Sequence, residues 1–227
     1  MIGPLEGGYG VTLGNALRRV LLSSLDGAAI TSMRISDVLH EFSDIPGVRE
    51  DVIQVMLQIK QIRLILHDVE TSHLHLDVRG EGVVTAADIQ VPSEVEIVNP
   101  DLYLFTVDDP NTRLEIDMTV GRGRGYSPAS ERSGRLPIGE LPVDAIYSPI
   151  KRVNWMVSSA RVGQSTNYDR LLMEIWTDGT VGPESSLSTA SKILIDHLRY
   201  IAGISEESLM LGVEKEVVGS RLTSEAA

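Results

Sequence analysis

The 227-residue chain reads as an α+β fold on three observations. Helical periodicity is concentrated near the two ends of the chain. The long middle alternates apolar and polar residues with period two. Strands and helices do not take turns, as they would in a doubly wound parallel sheet.

Each element follows in order. Residues 1–5 contain Gly3 and Pro4 and predict no strand. Thr12 is placed to cap a helix in which Leu13, Ala16, Leu17, Val20, Leu21 and Leu25 recur at helical spacing. Asn15, Arg18 and Arg19 fall off that stripe, and Asp26-Gly27 is read as its stop. A strand is expected over 29–35, then a short helix over 50–61 with Val52, Met56 and Ile59 on one face. Further strands are expected over 62–66, 73–79, 102–107, 113–120, 153–162 and 170–177. In the second and fourth of these, Leu74, Leu76 and Val78, and Leu114, Ile116, Met118 and Val120, share a face. Asp178-Gly179 is a turn signal. A second long helix opens at Pro183, its seam traced by Leu187, Ser191, Leu194, Leu198 and Ile201. Gly203 is read as its end, and the polar, weakly patterned residues 204–227 as a tail or linker.

The two long helices carry apolar stripes wider than a thin sheet can cover. They are expected to meet each other and a second copy of the chain, as a symmetric four-helix arrangement. Its interface would use Leu13, Leu17, Leu21 and Leu25 with Leu187, Leu194, Leu198 and Ile201.

Composition narrows the function. Twenty basic against 32 acidic residues give a formal charge of −12, which opposes gripping nucleic-acid phosphates unaided. The absence of cysteine excludes disulfides and thiolate metal sites. No apolar run approaches the roughly 18 residues of a membrane span, and the N-terminus lacks the order of a secretory signal. A cytoplasmic protein without membrane contact is expected.

Four groups of residues invite a chemical reading. Gly8, Gly10 and Gly14 ahead of the first helix would be either a phosphate cradle or room for a tight turn. Their spacing is one residue too long for G-x-G-x-x-G, no GK[ST] follows, and no strand is expected before them, which favours the turn. His73 and His75 share a strand face but have no third ligand at a recognisable spacing, so solvent exposure is expected. His40 beside Glu41 has no partner nucleophile, while His67 and His197 read as packing residues. The one basic, glycine-rich stretch is VGRGRGYSPASERSGR, where Arg122, Arg124, Arg132 and Arg135 with Tyr126 would suit phosphate and base contact or an acidic protein surface. No catalytic, cofactor or metal site is expected.

Longer motifs carry a resemblance. PLEGGYGVTLGNALRRVLLSSLDGAAITSMRI, DVLHEF and its continuation SDIPGVREDV, VTAADI, GRGRGYSPAS, VDAIYSPIKRVNW and TDGTVGPESSLSTASKIL occur in order along nearly the whole chain. Together they resemble the α subunit of bacterial DNA-directed RNA polymerase, and in particular its N-terminal assembly domain. The resemblance implies a non-catalytic scaffold in transcription, a subunit of a nucleotidyltransferase complex. It would homodimerise and nucleate assembly of the β and β′ subunits, β on one copy and β′ on the other. It implies a discontinuous dimerisation part, residues 1–26 and 151–203, and an inserted β-rich part, residues 27–150. Subunit docking would fall to Arg18, Arg19, His40, Glu41, Phe42, Arg122, Arg124 and Tyr126. DNA would be reached only through the complex. The family has a further strand-rich stretch before PLE and a separate C-terminal domain. A chain without that stretch is expected to have a weaker dimerisation sheet.

Overall fold

The computed structural model describes residues 1–132 and 136–224. Along the chain the elements are β1 (Ile2–Glu6), α1 (Tyr9–Ser23), β2 (Asp26–Ile35), α2 (Val52–Ile59), β3 (Leu64–Leu66) and β4 (Thr71–Arg79). They continue with β5 (Gly82–Thr85), β6 (Val95–Ile97), β7 (Tyr103–Val107), β8 (Arg113–Arg124), β9 (Tyr126–Ser127) and β10 (Glu140–Pro142). The last are β11 (Ala145–Ile146), β12 (Ile150–Val162), β13 (Ser165–Thr177) and α3 (Pro183–Ser224). All strand pairings are antiparallel, so the fold is α+β.

Two sheets organise the molecule. The larger runs β4-β8-β2-β3-β6, with β10 also paired to β2. Alternation along β4 and β8 sends Leu74, Leu76, Leu114, Ile116 and Met118 into one core. There they meet Val52, Val55 and Ile59 of α2 and Phe105 of β7. Helix α2 is capped by Asp51, whose carboxylate accepts the Gln54 amide at 2.7 Å.

The smaller sheet, β1-β13-β12, is made from the two ends of the chain. Helix α1 lies on it and touches α3. Leu17, Leu21 and Leu25 are buried here with Ile150, Val153 and Ala190, flanked by Leu13, Val20, Leu22, Met173, Ile175 and Leu187. Two glycines allow that close approach. A Cβ on Gly10 would come within 2.9 Å of Val157, and one on Gly14 within 2.7 Å of the Trp155 ring. The sheets are tied where Arg63 donates to the Asp178 carbonyl at 2.7 Å and Ser148 to the Leu22 carbonyl at 3.3 Å.

Four sequence expectations are corrected. Residues 2–6 do form a strand: it is an edge strand, and Gly3 and Pro4 sit where its register with β13 slips. An edge tolerates the missing donor of Pro4. Helix α1 begins at Tyr9, and Thr12 lies inside it, its hydroxyl donating back to the Gly8 carbonyl. The helix ends at Ser23, so Asp26-Gly27 opens β2 and is not the stop. Gly203 does not end α3, which extends to Ser224. Gly203 is not left-handed, and Glu206, Glu207, Leu209, Met210 and Leu211 that follow are strong helix formers.

Candidate subunit-contact surface

The leading amides of any helix lack partners within the helix and attract anions. At α1 that place is taken by the chain itself: the Asp169 carboxylate accepts Gly8 N–H at 2.8 Å and Gly10 N–H at 3.1 Å. Gly10 and Gly14 face β12 and its neighbours. The glycines serve close packing and leave no phosphate cradle.

Sequence placed eight apolar residues on the helix seam, and the structure divides them. Leu17, Leu21 and Leu25 are already buried within the single chain, and Leu13, Leu187 and Leu194 are half-buried. Leu198 and Ile201 stand out, 51% and 65% exposed, beside Ile195 and Tyr200. Between α1 and α3 lies a groove of about 550 Å³ lined by Val11, Thr12, Asn15, Ala16, Arg19, Val20 and Leu194. Leu194, Leu198 and Ile201 follow helical spacing, so the exposed pair continues the groove's apolar line.

The arginine pair is also divided. Arg18 donates through Nε to the Val153 carbonyl at 3.3 Å and so helps hold α1 to β12. Arg19 has no side-chain bond among the described residues, and its exposed guanidinium stands at the rim of the groove. A planar cation of this kind suits a carboxylate or carbonyl on another protein.

The remaining docking candidates lie at opposite ends of β2. Arg122 and Arg124 end β8, which pairs with the start of β2 close to the end of α1. His40, Glu41 and Phe42 follow the other end of β2, about 30 Å along a strand of that length. Phe42 is 78% accessible there, and Leu39 and Ile138 are 73% and 94% accessible. Ile138 comes close because β10 pairs with β2 at Glu140–Arg34, and Leu39 and Ile138 share a cavity of about 350 Å³. His40 is bonded to the Ser43 hydroxyl at 2.9 Å.

The basic stretch is largely spent inside the chain. Arg122 donates to the Leu66 carbonyl at 2.9 Å, Arg124 pairs with Asp26, and Arg132 donates to the Val143 carbonyl. Arg135 lies outside the described residues. Tyr126 remains 60% exposed, its hydroxyl contributing with other donors at Asp144. Asp144 is held below the usual carboxylate range, first by the Ala129 amide and next by Lys60 at 3.0 Å. Sequence reading missed Asp144, Lys60 and Asp169, because each acts on residues far away in the chain.

The histidines are ordinary surface groups. His75 bonds Asp117 at 2.7 Å, which raises its pKa, and His73 lies 3.4 Å from Thr119. His67 and His197 are exposed, which corrects their reading as packing residues; His67 faces Glu96 across neighbouring strands. Among the described residues no three potential ligands gather to hold a metal, and no helix is long and apolar enough to cross a membrane.

Comparison with known proteins agrees with the motifs. Residues 33–148 match the family model described as RNA polymerase Rpb3/RpoA insert domain. The chain is 50% identical over 219 residues to the DNA-directed RNA polymerase subunit alpha of Carboxydothermus hydrogenoformans, covering 95% of this chain and 70% of that protein. It is 54% identical over 207 residues to the same subunit of Roseiflexus sp. (strain RS-1), covering 91% of this chain and 64% of that one. The subunit of Desulforudis audaxviator matches at 50% over 207 residues, 91% of this chain and 65% of its own length. The chain thus spans about two thirds of the length of these relatives. Identity at this level over nearly the whole chain, with the insert model matched inside it, is decisive: the chain belongs to the bacterial RNA polymerase α-subunit family.

Proposed function

We propose that this chain is a non-catalytic scaffold in transcription, pairing with a second copy and nucleating assembly of the β and β′ subunits of DNA-directed RNA polymerase. The observation that carries the reading is the unfinished apolar line at α1 and α3, where Leu198 and Ile201 remain exposed beside the groove. A second α3 laid across that groove would remove them from water. In this reading residues 1–26 and 151–203 form the dimerisation part and residues 27–150 the inserted part. Leu17, Leu21 and Leu25 support the seam from beneath, while Leu13, Leu187, Leu194, Leu198 and Ile201 approach the partner.

The β and β′ contacts in this reading are Arg19, with Arg18 behind it, the His40–Phe42 turn, and the Arg122–Tyr126 segment. Arg122 and Arg124 act there mainly by shaping the surface, since their guanidiniums are engaged within the chain. The working place is the cytoplasm, the chain needs no cofactor, and DNA is reached through the complex.

Co-expression with β tests the reading. The chain is expected to recover β on affinity purification, and Arg19→Ala to keep the dimer while recovering about tenfold less β, the scale of an interface arginine. Equal recovery by Arg19→Ala would remove Arg19 from the docking surface.

A further inference from the structure

We infer that Asp169 is a positioning residue for the α1–α3 seam: its carboxylate replaces a missing helix cap and fixes the first turn of α1, one wall of the groove. The inference rests on the dimer reading above.

A helix is ordinarily capped by the residue just before it, in an extended conformation, its side chain reaching forward to the second or third amide. Here that residue is Gly8, with no side chain and a left-handed backbone at φ 93° and ψ −24°. The short Gly7-Gly8 link from β1 into α1 leaves this conformation to glycine, so a local cap is not available.

Asp169 reaches in from β13. Its Oδ2 accepts both Gly8 and Gly10 amides, and its charge faces the positive end of the helix. The same residue is paired with Leu5 of β1 and Ser159 of β12, in the middle of the small sheet. One side chain therefore joins the sheet register to the start of α1. The next residues, Val11 and Thr12, line the groove, and Tyr9 and Val11 are each 54% exposed. A first turn that frays or shifts moves that wall.

Chemical rescue of the 227-residue chain separates this role from simple packing. In Asp169→Ala the amides of Gly8 and Gly10 face a vacated space, which formate, a free carboxylate, is able to occupy. The dimer dissociation constant is expected to rise about tenfold, the scale of a lost charged cap. Formate is expected to restore most of it, and chloride at equal ionic strength is not. Gly8 and Gly10 amide exchange should accelerate and recover in parallel. A variant dimer as tight as the wild type, or a weakened one that formate and chloride treat alike, overturns the inference. Should Asp169→Ala fail to fold, Asp169→Asn serves: unchanged pairing and unchanged Gly10 exchange overturn the inference, and loss of both supports it. A wild-type chain that does not pair defeats the dimer reading and the seam, while formate-dependent Gly10 protection would still uphold the cap.

Discussion

The two sheets solve the burial problem differently. The six-stranded sheet closes its core within one chain: Val52, Val55, Leu76, Phe105 and Ile116 are all inaccessible or nearly so. The three-stranded sheet gathers a smaller core around Leu17, Leu21, Leu25, Ile150, Val153 and Ala190 and leaves Ile195, Leu198, Tyr200 and Ile201 of α3 exposed. The core of the first region closes within one chain, whereas at the second an apolar line of α3 stays in water. A helix that is apolar beyond the reach of its own sheet points to association.

Substitutions sharpen that contrast. The largest stability loss is expected from Ile116→Ala in the closed core, about 2–5 kcal/mol by the scale for buried aliphatic truncation. It should lower the unfolding midpoint in denaturant and leave the dimer constant of the folded fraction unchanged. Gly14→Ala is next: its methyl meets the Trp155 ring, and about 1–3 kcal/mol of overpacking is expected. Here stability and pairing should fall together, because α1 is pushed off β12. Leu21→Asp does not discriminate, since that side chain is fully buried in one chain and a charge there is expected to unfold the unit whether or not it pairs.

A smaller effect is tied to pH. Asp144 is stabilised in its charged form by the Ala129 amide and Lys60, so its folded pKa lies below the unfolded value of about 3.9. Its contribution is present above that unfolded value and lost as pH falls through the lowered folded one. Asp144→Asn should therefore destabilise by about 1 kcal/mol at pH 7, the scale of one charge-assisted bond in a half-exposed site, and converge with the wild type in acid. A constant difference down to pH 2 would show that the charge is not the cause.

Much of the fold was legible because burial on one face leaves a period. β4 and β8 could be read from Leu74, Leu76, Ile116 and Met118, and the rough extents of α1 and α2 from their stripes. The failures share a physical cause: a local signal overruled by a distant one. Gly3 and Pro4 hid β1 because only its place at a sheet edge makes them tolerable. Thr12 drew the start of α1 inward because the true cap is Asp169, about 160 residues away in sequence. Arg122, Arg124 and Arg132 were legible as a basic stretch, but their bonds to the Leu66 carbonyl, to Asp26 and to the Val143 carbonyl depend on tertiary placement. His67 and His197 misled because apolar neighbours in sequence do not set the direction of a side chain.

Sedimentation equilibrium of the wild type beside a Leu198→Asp, Ile201→Asp double variant tests the central claim most directly. Charge placed on the exposed line should disrupt pairing without touching the buried cores. The wild type is expected to be a dimer of 24.8 kDa chains at micromolar concentration, and the variant a monomer with unchanged circular dichroism. A monomeric wild type, or a double variant that still pairs as tightly, would contradict that claim.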